Sequence, residues 1–159
     1  MSGPIVTTLV FIAAVASALV AGIFYAFSSF VMGALGRIPP EQGINAMRSI
    51  NVVVLNPTFL GLFLGTTLLC AGLAFWALFF LGGPEAWLVL GASVLYVVGC
   101  FGVTLMFNVP LNDRLARAAP IDVGEVWQIY LRDWTMWNTV RTVAPIVATV
   151  LFMLALLQR

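Results

Sequence analysis

Apolar and polar positions divide the chain into four long apolar blocks, at about 4–35, 57–81, 86–107 and 142–157, and two mixed stretches, 40–55 and 123–138. None of the four blocks contains a charge. A helix rises about 1.5 Å per residue, so roughly 20 apolar residues cross the ~30 Å hydrocarbon core of a bilayer. The blocks therefore predict four membrane spans. In the first mixed stretch Ile44, Met47, Ile50 and Val54 fall on one helical face and Glu41, Asn45 and Arg48 on another, the pattern of a helix lying in the membrane interface. The second predicts a polar helix that continues or bends into the last span. The fold class expected is all-α: a four-helix transmembrane bundle with two interfacial amphipathic helical segments, forming one domain over residues 1–159.

Local signals set the boundaries. Gly36 is placed to end the first helix, Pro39-Pro40-Glu41 to open the second, and Asn56-Pro57 to cap and start the next. Residues 81–85, LGGPE, predict a tight connection between antiparallel neighbours. Asp122 with Glu125 has the spacing of a capping box. Ala14, Ala18, Gly22 and Ala26 recur every four residues, and Gly61 and Gly65 repeat that spacing, so both stripes predict close helix approach.

Composition strengthens the membrane reading: 62% of residues are hydrophobic and 8% charged, against about a quarter charged in soluble domains. The apolar first block, with no basic residue ahead of it, reads as a retained span and not as a signal peptide. A net charge of +1 offers no basic surface, so nucleic acid is not an expected partner. Without histidine, and with Cys70 and Cys100 isolated in apolar blocks as packing residues, no metal site and no cofactor is expected. Six of the seven arginines lie in the two long loops and only Arg159 on the other side, which places both long loops in the cytoplasm and both termini outside. The expected location is a bacterial cell membrane. Membrane lipid is an expected partner, and the small-residue stripes also allow a homo-oligomer.

The candidate chemistry lies where polar sequence meets the last span. Trp127, Tyr130, Trp134, Trp137 and Arg141 fall on one helical face, which is aromatic and ends in a cation. Pro145 lacks the N–H that the Arg141 carbonyl would have received. Tyr25, Arg48, Asn51, Asn56, Asn108, Asn112, Asp113 and Asn138 gather near the same boundary. Singly they read as caps, belts and loop charges; the shared aromatic face instead predicts a pocket for a flat aromatic or lipid-like ligand.

Four segments carry a resemblance to a known family: YAFSSFVM at 25–32, INVVVLNP at 50–57, FNVPLND at 107–113 and W-xx-WN-xx-R at 134–141. Together they resemble the small four-span family that includes the fungal and bacterial anthrone oxygenases. The resemblance implies a membrane enzyme that oxidises an anthrone to an anthraquinone with O2 and without a cofactor. An anthrone has an acidic methylene, and its anion reacts with O2 directly, so the protein need only bind, deprotonate and stabilise an oxyanion. On that reading Trp134 and Trp137 stack on the rings, Arg141, Asn138 and Asn108 hold the oxyanion, and Asn112, Asn56, Arg48 and Tyr25 complete the substrate site. Asp113 is the first candidate base, with Asp133 and Tyr25 behind it. Thr139 stands where many family members carry histidine. The competing reading is a non-catalytic membrane protein that binds a lipid or aromatic metabolite, or serves helix assembly, with Arg141 paired to Asp113 or Asp133. A transporter is disfavoured because no span has a charge or a Gly/Pro break at its centre.

Overall fold

The computed structural model describes residues 3–119 and 122–158. Arg159, used above for orientation, lies outside the described residues. Four long helices are apolar enough to cross a membrane: α1 (Pro4–Leu35), α3 (Pro57–Phe80), α4 (Pro84–Ala116) and α5 (Val123–Leu157). A shorter helix, α2 (Pro40–Val53), joins α1 to α3. The chain is an all-α membrane protein.

Each of the first four helices opens with proline in its first turn, where the missing N–H costs no hydrogen bond. Asn56 caps α3 by accepting from the Phe59 N–H at 3.0 Å. Gly83, at φ +81°, makes the turn into α4 that a side chain would strain. Asp122 occupies the N-cap of α5 but makes no side-chain cap bond, so the predicted capping box does not form.

Two helices run further than the apolar blocks suggest. α4 does not stop at Phe107 but passes through Pro110 to Ala116, and α5 is continuous from Val123 to Leu157. Both contain wide π turns, at Leu95–Gly102 and Thr104–Asn108 in α4 and at Tyr130–Trp134 in α5; α1 has another at Phe27–Val31. A proline ring collides with the carbonyl four residues back. The π turn just before Pro110 widens the backbone there, so α4 accommodates the ring.

α1 packs along α5, α5 along α4, α4 along the start of α5 and along α3, and α3 returns to α1. The α1 face buried in this arrangement carries Ala13, Ala14, Ser17 and Ala21, while Ala18 and Gly22 face outward. Gly61 and Gly65 are also exposed, with open space where a Cβ would stand. The predicted stripes are thus not the packing seams inside this chain. The close seam lies instead at Gly99, where an added Cβ would come within 2.6 Å of the Ala144 Cβ. Gly99→Ala is expected to cost about 1–3 kcal/mol by overpacking. Thermal unfolding in detergent checks this, and Ala144→Gly in the same chain should restore most of the loss, because the collision is between two Cβ atoms.

A second apolar cluster decides the place of α2. Ile44 and Met47 are buried against Leu115, Trp127, Tyr130 and Trp134. Gly43 lies so close to Trp127 that an added Cβ would stand 2.5 Å from its ring. Ile44 and Met47, the buried part of the apolar face of α2, are therefore covered by the protein itself. The partner is the aromatic face of α5, whose Trp127, Tyr130 and Trp134 stack in succession at 5.8 and 5.6 Å.

Candidate functional site

Beneath α2, all five helices border a cavity of about 600 Å³. Phe24 and Phe27 of α1, Phe59 and Phe63 of α3, Phe101 of α4 and Trp134 of α5 supply aromatic wall. Thr104, Asn112, Asp113, Arg48, Asn51 and Arg141 supply its polar groups. The size and the mostly apolar lining with a few polar groups suit a small organic ligand.

Arg141 is 6% exposed. Its Nε donates to Asn138 Oδ1 at 3.0 Å and its Nη1 to Thr104 Oγ1 at 3.2 Å. The guanidinium carbon lies 4.1 Å from the centre of the Phe24 ring and 5.0 Å from that of Trp134. Aromatic faces stabilise a desolvated cation by about 2 kcal/mol but do not neutralise it. No ion pair to Arg141 is found among the described residues: Asp133 is held 2.6 Å from its exposed neighbour Arg132, and Asp113 sits on the outer rim. Two of the five guanidinium N–H groups are used, which leaves three for a ligand. A buried cation with no carboxylate partner among the described residues, on the wall of a largely apolar cavity, has the chemistry to hold an anion.

Asn138 is fully buried and positions that cation. Its Nδ2 donates to the Phe24 carbonyl at 2.8 Å and to Ser28 Oγ at 2.7 Å, which turns Oδ1 toward Arg141. Both amide hydrogens are committed, so Asn138 has none for a substrate oxygen. Asn108 is buried too, and its Nδ2 donates once, to the Trp134 carbonyl at 3.2 Å. Each accepting carbonyl lies at or near a π turn, where the usual helical pairing is disturbed. The two asparagines thus add side-chain donors to backbone carbonyls at or next to the wide turns.

Asn112 is arranged differently. Its Oδ1 accepts from Tyr130 Oη and from Trp134 Nε1, each at 2.8 Å. This fixes the amide orientation and leaves the NH2 without a hydrogen-bond partner among the described residues, on the cavity wall. Asn112 thus stands at the N–H edge of the Trp134 indole and Arg141 over its ring.

Of the residues singled out from sequence, Arg141, Trp134, Asn112, Asp113 and Arg48 come together at the cavity. Arg48 is largely occupied there, donating to the carbonyls of Leu115 at 2.9 and 3.0 Å and of Ala118 at 3.0 Å, so it ties α2 to the end of α4. Asn108 and Asn138 stand behind the wall. Tyr25 is 59% exposed on the outside of α1, Asn56 serves as the α3 cap, and Trp137 stacks face to face on Phe107 with centroids 3.6 Å apart; none of the three lines the cavity. Thr139 also lies outside, bonded to Ser28 at 3.0 Å. Sequence reading missed Phe24, whose ring and carbonyl both serve the Arg141 network, and Thr104. A phenylalanine or threonine in an apolar span carries no periodic signal that separates it from packing.

A sequence profile of the anthrone oxygenase family matches residues 59–151, and no curated protein or solved structure shows significant similarity. The matched stretch covers more than half of the 159 residues and runs from the Phe59 wall of the cavity through Asn112, Trp134 and Arg141. By that match the chain belongs to the anthrone oxygenase family.

Proposed function

We propose that the cavity binds a flat, electron-rich aromatic as its oxyanion and lets it react with O2, as in the oxidation of an anthrone to an anthraquinone. The observation that carries this reading is the buried Arg141 guanidinium, with three N–H groups unused and no carboxylate partner among the described residues, on a mostly apolar wall rich in aromatic rings. Loss of a proton from the anthrone methylene places negative charge on the ring oxygen. Arg141 and the Asn112 NH2 hold that oxygen, which favours the anion over the neutral ketone. O2 then adds at the former methylene carbon, and loss of water from the hydroperoxide leaves a second carbonyl. One oxygen atom ends in the quinone and the other in water. Aromatic walls exclude water and orient the rings, with Trp134 beside both donors.

Asp113, a carboxylate on the cavity rim, takes the methylene proton on this reading. Asp113→Asn is expected to slow the reaction about 100-fold, the lower range of general-base effects, while ligand binding followed by tryptophan quenching stays within about twofold. Full activity in that variant would remove Asp113 from the chemistry. Its exposed position favours the second reading, a membrane protein that binds the aromatic without converting it. The deciding experiment is O2 uptake by detergent-purified protein given an anthrone, with quinone measured in parallel. Uptake above spontaneous oxidation, one O2 per quinone, is expected. Binding without uptake would leave the binding reading in its place.

A further inference from the structure

The cavity wall also shows from which side a ligand reaches Arg141. α3 packs along α4 over Pro84–Gly102, but beyond Thr104 the approach is at most marginal, and there α4 leans on α2 and α5 instead. The two helices splay apart at this end. Leu60 and Leu64 of α3 and Leu105 and Val109 of α4 line the resulting slot and belong to the cavity wall. Leu64 is 42% exposed and Leu105 51%, so the cavity opens outward between aliphatic side chains on helices long and apolar enough to span a membrane. The opposite end is framed differently: Arg48 clamps α2 to the carbonyls of Leu115 and Ala118, Asn51, Tyr130, Asn112 and Trp134 form a hydrogen-bonded chain beneath it, and exposed Asp113 stands on the rim. A mouth made for water would not be framed by leucine and valine.

We propose that the slot between α3 and α4 faces lipid and that the ligand is a membrane-partitioned aromatic, loaded sideways from the bilayer until its oxygen meets Arg141. The nature of the ligand rests on the function proposed above; the direction of the slot does not. Leu105→Cys tests both, since Cys70 and Cys100 are fully buried and leave the introduced thiol as the one to modify. Met106→Cys is the control: Met106 is 70% exposed on the same helix but is not part of the cavity wall. Each variant is labelled with a nitroxide and reconstituted in phosphatidylcholine–phosphatidylglycerol vesicles. At position 105 the nitroxide is expected to collide readily with O2 and little with a water-soluble nickel chelate. Association of 1,8-dihydroxyanthraquinone delivered in vesicles, followed by tryptophan quenching, should slow tenfold or more when position 105 is labelled and stay unchanged for position 106. Ready collision with the nickel chelate, or equal association rates for the two labelled proteins, would overturn the proposal. If the unlabelled protein shows no quenching at all, the aromatic-ligand reading fails, while the collision pattern still decides whether the slot faces lipid.

Discussion

Replacing Arg141 with alanine is expected to lower the anthrone-dependent rate of O2 uptake, after subtraction of spontaneous oxidation, about 100- to 1,000-fold. That is the range seen when one preorganised oxyanion donor is removed, and here the donor also carries the charge. The guanidinium is held by Asn138 and Thr104 and flanked by Phe24 and Trp134, so it needs no rearrangement when the oxyanion forms. Arg141→Lys is not expected to recover more than about a tenth of the activity. An ammonium keeps the charge but cannot donate to Asn138 and Thr104 while presenting further N–H groups in a fixed plane. Steady-state O2 uptake on the three proteins, with the aromatic bound to similar extents, checks the prediction. An alanine variant with unimpaired uptake would remove the oxyanion role from Arg141.

Asn138→Asp should have the second largest effect, for an electrostatic reason. It would place a carboxylate where the amide oxygen now accepts from Arg141 at 3.0 Å. The cation would then have an internal partner, and a ligand oxyanion would compete with it. Binding of an anionic aromatic is expected to weaken by at least about 2 kcal/mol, roughly 30-fold, within the range for changes at buried charge pairs. The substitution also sets a carboxylate oxygen against the Phe24 carbonyl, which the amide now contacts as donor at 2.8 Å, so some loss of stability accompanies it. Asn138→Ala separates the two effects. It disturbs the same hydrogen bonds without adding charge, and its affinity for the anion should fall less than that of Asn138→Asp. Quenching titrations at constant ionic strength, with thermal unfolding alongside, measure both. Equal affinities in the two variants would show that the absence of a counter-ion at Arg141 is not what favours the anion.

The aromatic face from Trp127 to Arg141 shows how far a one-dimensional pattern reaches. Its residues do share one helix, α5, because helical periodicity is a local property. What each residue faces is not local. Trp127 and Tyr130 meet Ile44 and Met47 of α2, Trp134 reaches the cavity, and Trp137 turns to Phe107. A heptad-like spacing drifts around a helix, and π turns add to the drift. The asparagines make the same point. Asn56, Asn108, Asn112 and Asn138 are alike in sequence, yet one caps a helix, two satisfy backbone carbonyls near π turns, and only Asn112 keeps its NH2 for the cavity. Such roles depend on which donors and acceptors other helices bring within about 3 Å.

By itself the sequence determined the four spanning helices, the proline starts, the Asn56 cap, the family, and the presence of one arginine against the last span. These follow from hydropathy, local backbone chemistry and motif spacing, each fixed within a few residues of chain. Only the tertiary structure decided that α2 packs on the aromatic face of α5, that Arg141 has no carboxylate partner among the described residues, and that residues of both α3 and α4 line the cavity. These depend on residues tens of positions apart being brought together, and on which of their polar groups are already satisfied when they meet.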